Sequence, residues 1–535
     1  MAASKATVNQ QIAGGTTVAP AAIAGGSPFE PCVWGDFFVT YNPPPLQACI
    51  SEEWMRERAD ELKGKVRQMF GADRATSVVG MVNLVDELER LGVDNHFREE
   101  INAALSRIHS EELDAGMSTN LYAVALRFCL LRQHGFWVST DVLDRFRDET
   151  GSFREDLKSD PRGLLSLYNA AHMSVPGEAT LDNAIAFARR HLEAAIGKLG
   201  SPMARQYEQE EAHDATLLEL ARLDFNLLRA LHLEELRTLS LWWMDLYSDV
   251  KLTYARDRIV ESYFYSFGAF HEENSRIRII VTKVFVLIGL MDDTYDVRAT
   301  MEECQMLDEA IQRWNESAAS FLPEYLRVLY IKTLSNFNEI EDTMEPCEKY
   351  RMAYIKKQFK SQSKYYLQET KWFNENHVPG FKEHVDVTLM STVVPFLFFV
   401  ALMAAGQVVS KEAFEWAFGV PDMVRASGEM GRFLNDIASY KRRKNMKDVA
   451  STVECYLKEH GATGEAAIGA MVEQAWRRIN RAYMEMDRAV EPAARWLLDM
   501  TRMLEIYYLH GRDGLTYGRD IKNLVAFLFL EQVPL

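Results

Sequence analysis

The run Val281–Met291 is apolar apart from Thr282, Lys283 and Gly289, and it leads into Asp292-Asp293-Thr294-Tyr295-Asp296. On a continuing helix Asp292 and Asp296 stand four residues apart on one face. Two carboxylates one turn apart repel unless something cationic lies between them. Their place at the end of a core helix puts them where a pocket can open. Oxygen-only ligands suit Mg²⁺, which commonly keeps coordination positions for phosphate oxygens and water. The same residues also read as a solvated acidic helix end, neutralised by Lys283 or Arg298. A DDxxD pattern by itself does not separate the two readings.

Other residues favour the metal. Arg256-Asp257-Arg258 opens a helical pattern upstream. At a helix start both arginines can reach one polyanion, and the guanidinium fork matches phosphate. In the second half of the chain Asn435 and Ser439 repeat the four-residue spacing with oxygen groups, and Arg432 lies one turn before Asn435. The basic run Lys441-Arg442-Arg443-Lys444 reads most simply as a solvated face. Aromatic residues including Trp242, Trp243, Tyr263, Tyr265, Trp372, Phe396, Tyr507 and Tyr508 fall in the same half. Most belong to an ordinary core, while a few facing a cavity would stabilise a cation through their π faces. Metal, phosphate-binding arginines and an apolar aromatic cavity together point to ionisation of a hydrocarbon diphosphate.

These residues need rigid elements to hold them. The apolar period is close to 3.6 over nearly the whole chain, interrupted by breakers such as Asp160-Pro161, Pro176-Gly177 and Pro379-Gly380. The expectation is an all-α fold of two domains: a leader over 1–28, a helical domain over 29–220 and a larger one over 221–535. A linker or joining helix is expected near 205–225. The chain has 535 residues, 48% of them hydrophobic, and carries a formal charge of −17. Such a mean field repels nucleic acid and anionic membrane, so neither is an expected partner. The six cysteines are scattered without a CxxC pair, which suggests reduced thiols. The leader lacks the basic start and apolar block of a secretory signal. The uncharged stretch 387–410 could span a bilayer by length, but Thr388, Ser391, Thr392 and Pro395 inside it predict a broken core helix, with no stable membrane insertion.

Taken together, Trp34-Gly35-Asp36-Phe37-Phe38, Gly163-Leu164-Leu165-Ser166-Leu167-Tyr168-Asn169-Ala170, Trp242-Trp243, Arg256-Asp257-Arg258, Asp292–Asp296 and Asn435–Ser439 resemble, in order and spacing, a plant class I terpene synthase of the sesquiterpene type, close to the grass members. The resemblance covers nearly everything from Trp34 to Leu535. It implies a C-terminal class I terpenoid synthase bundle and an N-terminal helical domain derived from a class II one. No DxDD motif is present, so protonation-initiated cyclisation is not expected. By resemblance, Asp292, Asp293 and Asp296 form the aspartate-rich metal motif, with Asp292 and Asp296 as direct ligands, and Asn435 and Ser439 bind a further Mg²⁺. Three Mg²⁺ ions are expected, or Mn²⁺ in their place. Arg256, Arg258 and Arg432 match diphosphate-holding arginines. Tyr265 stands where Trp is common, facing the carbocation. Glu369 matches an acidic residue near the metals, and Tyr508 and Asp513 match the cap of the pocket. Leu515 stands where some relatives have Tyr.

One departure bears on the metal count. The family carries a Glu ligand four residues after Ser439, and this chain has Arg443 there. A guanidinium cannot ligate Mg²⁺, and its charge opposes a metal beside it. Three outcomes remain open: a weakly held third metal, Arg443 binding diphosphate in its place, or an impaired enzyme. The expected activity is Mg²⁺-dependent cyclisation of farnesyl diphosphate by a cytoplasmic enzyme, monomeric or alternatively dimeric. The competing expectations are use of geranyl diphosphate, chain elongation (which usually needs a second DDxxD) and a helical scaffold without catalysis.

Overall fold

The structure, a computed structural model, describes residues 29–44, 51–71, 77–113, 117–196, 214–442, 450–461 and 463–535. The leader, residues 205–213 of the anticipated linker and Arg443 lie outside the described residues, and from residue 215 that linker belongs to the helix Ala215–Val250. Within them the chain is helical, and the sole β feature is an isolated bridge between Arg147 and Phe153. Two compact units emerge. One comprises 45–228, 476–486 and 532–535, the other 1–44, 229–475 and 487–531.

The first unit is built from helices such as Leu121–Gln133, Pro161–Ala171 and Ala179–Ile196. The Gly163-to-Ala170 motif has a local explanation. Asp160 caps the helix by accepting from the Gly163 amide at 2.8 Å, and Pro161 sits at the first helical position, where its missing N–H costs nothing. A β-carbon at 163 would lie 3.2 Å from Leu121 Cβ and closer still to Asp160, so only glycine fits. Behind it, Arg132 is fully buried. It donates to Glu178 at 2.6 and 2.7 Å and to the Val138 and Met173 carbonyls.

The second unit holds the residues singled out above. Its helices include α1 (Ala215–Val250, from residue 229 onward), α2 (Ile259–Ala269), α3 (Ser275–Asp293), α4 (Tyr350–Asn374), α5 (Phe381–Ser391), α6 (Val394–Ala404), α7 (Asp422–Arg442), α8 (Thr452–His460) and α9 (Glu491–Tyr508). Helix α6 is apolar all round, and each of its residues is buried. It packs against α3, α4, α7 and α9. The uncharged stretch is thus interior and broken where the polar residues and proline predicted. The segment Phe381–Ala404 is long and apolar enough to cross a membrane, yet 83% of its most apolar window is buried in the protein. At the break Val393 adopts φ +71°, a costly conformation for a β-branched residue. Pro395 then sits in the first turn of α6.

Helices α1, α2 and α3 are locked by a buried polar cluster. Arg278 forks onto Glu235 at 2.6 and 2.9 Å and also donates to the Phe270 and His271 carbonyls. The Tyr263 hydroxyl donates to Glu235 at 2.6 Å and lies 2.7 Å from His232 Nδ1. Burial, reinforced by the Arg278 charge, pushes the His232 imidazole down to about 3, so it stays neutral. Replacing one member of such a pair strands the other charge away from water. Glu235→Ala should therefore lower the unfolding free energy by roughly 3–5 kcal/mol, read by urea denaturation. Joint replacement of Glu235 and Arg278 by Met should recover most of it.

The segment before Pro44 belongs to this unit. Gly35, at φ +51°, makes the turn that lets the Phe37 amide reach the Trp34 carbonyl at 2.9 Å and sets Trp34 at a tilt against Phe38. Beneath it, the Cys32 thiol faces Asp257, and burial holds both groups in their neutral forms more strongly than water would. Glu261 is wholly buried, and neither carboxyl oxygen has a hydrogen-bond partner among the described residues. Burial pushes its carboxyl up to about 7, with Arg258 opposing. The sign follows from linkage. Below its ordinary value of 4.5 the acid is protonated folded and unfolded alike; between 4.5 and about 7 only the unfolded chain loses the proton, so folding weakens. Measured against Glu261→Gln, the wild type should lose up to about 3 kcal/mol of stability across that window and remain level above it. A pH-independent difference between the two proteins would refute this.

Candidate active site

One cavity of about 590 Å³ in the second unit gathers most of the residues chosen from sequence. Asp292, Asp293, Asp296, Glu369, Asn435 and Ser439 line it, as do Arg256, Arg258, Arg432, Tyr265, Tyr508 and Asp513. Arg443 lies outside the described residues. The volume suits a small-molecule site.

The aspartates differ from a plain helical turn. Helix α3 ends at Asp293 and a wider π-turn covers Thr294–Arg298, the kind of helical bulge that often marks functional sites. The Thr294 hydroxyl donates to the Leu290 carbonyl at 2.6 Å, and the Tyr295 hydroxyl meets Ser363 Oγ at 2.8 Å behind it. The turn is thus pinned on its inner side, while Asp292 and Asp296 both border the cavity. Asp293 is oriented otherwise. Its carboxylate accepts the Arg256 amide at 2.7 Å and lies 2.6 Å from the Arg256 guanidinium, which also reaches Asp292 at 2.8 Å. Asp293 thereby anchors the Arg256 segment.

Among the described residues, the electrostatics are those of a site short of positive charge. Burial raises the Asp296 carboxyl well above the usual range, and the neighbouring Asp292 and Glu369 charges add to the shift. Asp292 is raised by burial, against the pull of Arg256. Glu369 is pushed up to about 7 by burial, against Arg432. On α7, Asn435 lies beside the Tyr508 hydroxyl, and Ser439 follows one turn later; both line the cavity. Among the described residues, no three His, Cys, Asp or Glu side chains already converge on one metal position. A hard cation would take Asp292 and Asp296 on one wall, or Asn435 and Ser439 on the other. Phosphate oxygens and water would complete its shell. The donor set, all oxygen and rich in unneutralised carboxylate, fits that chemistry.

The arginines divide by orientation. Arg432 donates to Ser391 Oγ at 3.0 Å and pairs with Asp436 at 3.2 Å and Glu369 at 3.4 Å. Two glycines allow this. A β-carbon at Gly428 would lie 2.6 Å from the Leu389 carbonyl, and one at Gly431 would lie 3.1 Å from Val394. Helix α7 therefore runs hard against the α5–α6 break and brings Arg432 to it. Arg258 instead donates to backbone carbonyls: Leu515 at 3.0 Å, Thr516 and Asp257 at 2.8 Å, and Glu30 at 3.4 Å. It braces three segments at the cavity rim and also lines the cavity.

Tyr265 forms part of the floor. Its hydroxyl donates to the Met500 carbonyl at 3.0 Å and its ring meets Phe285 and Tyr507 edge-on. Burial raises both Tyr265 and Tyr508, keeping the phenols protonated. Asp513 accepts the Thr516 amide at 3.0 Å, and burial raises its carboxyl.

Sequence reasoning passed over several residues here. Asp436 accepts the Thr452 amide and hydroxyl at 2.5 Å each, capping α8. Its place in the Asn435–Ser439 motif was the available signal. Arg442, read within a solvated basic run, donates to the Gly511 carbonyl and to Asp520 while its guanidinium lies 4.6 Å from the Tyr517 ring. His384, stacked near Trp372, and Phe29, beneath the Arg256 guanidinium, also line the cavity. Neither carried a sequence signal. Of the aromatic residues picked out earlier, Tyr265 and Tyr508 reach the cavity, and Tyr263 and Tyr507 are buried elsewhere in the core.

Known proteins place this geometry in context. Residues 33–211 match the terpene synthase N-terminal domain and residues 244–478 the metal-binding domain of the terpene synthase family. The chain is 53% identical to a eudesmanediol synthase of Zea mays, over 96% of this chain and 97% of that one. It is 44% identical to a tau-cadinol synthase of the same plant, over 97% and 99%. Among solved structures, isoprene synthase from grey poplar, in complex with three Mg²⁺ ions and dimethylallyl-S-thiolodiphosphate, superposes with a TM-score of 0.81 at 26% identity, covering 90% of this chain and 98% of that one. With both domain models matched and relatives of this identity along nearly its whole length, the chain belongs to the terpene synthase family.

Proposed function

We propose that this protein ionises farnesyl diphosphate with the help of divalent metal and closes the chain to a cyclic sesquiterpene, releasing diphosphate. The observation that carries the reading is one cavity lined by oxygen donors from α3 with its π-turn and from α7, by Arg256 and Arg432, and by the aromatic rings of Tyr265 and Phe285. Its relatives are sesquiterpene synthases, which supports a fifteen-carbon substrate over geranyl diphosphate.

Bound Mg²⁺ would neutralise the diphosphate and draw charge from the breaking C–O bond. Asp292 and Asp296 would hold it on one side, Asn435 and Ser439 on the other, and Glu369 would support them from α4. Arg256 and Arg432 are placed to take up charge that develops on the leaving diphosphate, a contribution that grows in a water-poor site. Asp293 positions Arg256. Tyr265, Phe285 and the apolar residues of α3 and α6 shape the chain and face the cation with π surfaces. Tyr508 and Asp513 close the polar end. The rim held by Arg258 and Arg442 excludes water that would trap the cation. The domain over 29–220 is read as a supporting one and that over 221–535 as catalytic, in a cytoplasmic monomer. Three Mg²⁺ ions is the family arrangement; Arg443, in place of a carboxylate, predicts a weaker third site.

The test is incubation with farnesyl diphosphate over a Mg²⁺ titration, with products identified by gas chromatography and mass spectrometry. Cyclic sesquiterpenes are expected. Asp292→Asn should cut turnover by about 10²-fold or more, and Arg443→Glu should lower the Mg²⁺ concentration for half-maximal rate. A silent wild type beside an active Arg443→Glu protein would mark the chain as an impaired synthase, and products from geranyl diphosphate alone would overturn the chain length. Arg258→Ala, which frees the rim, should raise the share of hydroxylated products severalfold. An unchanged ratio of alcohol to hydrocarbon would argue against the brace.

A further inference from the structure

Glycine inside a helix is disfavoured relative to alanine, so a glycine there calls for a reason. On α7 close contact supplies it at Gly428 and Gly431. Gly289, inside α3, has no such contact: among the described residues, a β-carbon there would meet no atom within 4 Å beyond its own helix backbone. The residue lines the cavity one turn before Asp292, and Phe285 lines it one turn earlier still. The open space over Gly289 is therefore part of the cavity, directly below the acidic end. Its aromatic boundary is stiff, because Phe285 packs edge-on against Tyr265 with ring centroids 5.6 Å apart and the Tyr265 hydroxyl is tied to the Met500 carbonyl.

We propose that Gly289 is a specificity-determining residue: the missing side chain forms the recess that receives the hydrocarbon chain next to its ionising carbon, and so sets which chain length and which fold of the chain the site accepts. The inference rests on the reading of the site as one for a prenyl diphosphate. A side chain at 289 would narrow the cavity where the first isoprene units must turn, while the oxygen donors of Asp292, Asp296, Asn435 and Ser439 would keep their positions. Longer chains should suffer more than short ones. A glycine needed only for close approach of the diphosphate would instead affect every chain length alike.

The experiment compares the full-length wild type with Gly289→Ala and Gly289→Leu by three readouts. The first is thermal unfolding without ligand. The second is binding, in the presence of Mg²⁺, of the unreactive dimethylallyl, geranyl and farnesyl thiolodiphosphates. The third is the product distribution from farnesyl diphosphate. Gly289→Ala should melt at or above the wild-type temperature, because it gains helix propensity without a clash, yet should change the ratio of its two main products severalfold. Gly289→Leu should bind the farnesyl analogue about tenfold or more weakly while its affinity for the dimethylallyl analogue changes little. Equal weakening at all three chain lengths overturns the inference, as does an unchanged farnesyl affinity with an unchanged product ratio. A lower melting temperature for Gly289→Ala also overturns it, since the space would then not be free. A wild type that binds none of the three analogues overturns the functional reading, and this inference with it.

Discussion

Three carboxyl groups, Asp292, Asp296 and Glu369, face one partly enclosed space, with more negative charge than the guanidinium groups among the described residues neutralise. Burial disfavours each charge, and the mutual repulsion adds to that cost. Such a cluster persists only if the surrounding helices are held by something else. The second unit meets this requirement away from the cavity, with the Glu235–Arg278–Tyr263 cluster joining α1, α2 and α3. Elsewhere in the unit, apolar α6 packs against α3, α4, α7 and α9. The acidic end is thereby available for a cation and a polyanion, which together would relieve the strain that the fold maintains.

The break between α5 and α6 joins the acidic side of the cavity to its apolar side. Ser391 accepts from Arg432 and donates to Glu369, so the break is tied to two residues of the charged end. Two residues later, Val393 turns the chain into α6, whose residues form the apolar interior. The glycines of α7 permit the approach that makes this contact. A change in the charge near Arg432 would act first on this junction, and through it on the shape of the apolar wall.

Rim and floor differ in how they are held. Arg258 secures the rim through backbone carbonyls, interactions indifferent to the side chains at the accepting positions, and Arg442 adds the Gly511 carbonyl together with the Asp520 carboxylate. Leu515 illustrates the point: its carbonyl carries the contact, so the lack of a tyrosine hydroxyl there leaves the brace intact. The floor depends on side-chain identity, at Tyr265, Phe285 and Gly289. This division fits a family in which one ionising end serves many hydrocarbon outcomes.

Much of the site could be read in the sequence. Carboxylates at helical spacing after an apolar run, oxygen groups repeating that spacing at Asn435 and Ser439, and arginines beside them are local patterns whose chemistry follows from residue type. The interruption of 387–410 was also readable, because Pro395 and its polar neighbours act on their own backbone. Tertiary structure decided which partner each charged group meets. Asp292 and Asp293 both meet Arg256, 36 and 37 residues upstream, whereas Arg258, two residues from Arg256, turns to carbonyls of residues 30, 515 and 516. Arg442 sits in an apparently solvated run and holds Gly511. The open space over Gly289 depends on what distant helices leave unfilled. Residue type and spacing determine which interactions a chain can make, whereas hydrogen-bond partners and empty volume arise from segments hundreds of residues apart and exist only once the helices have packed.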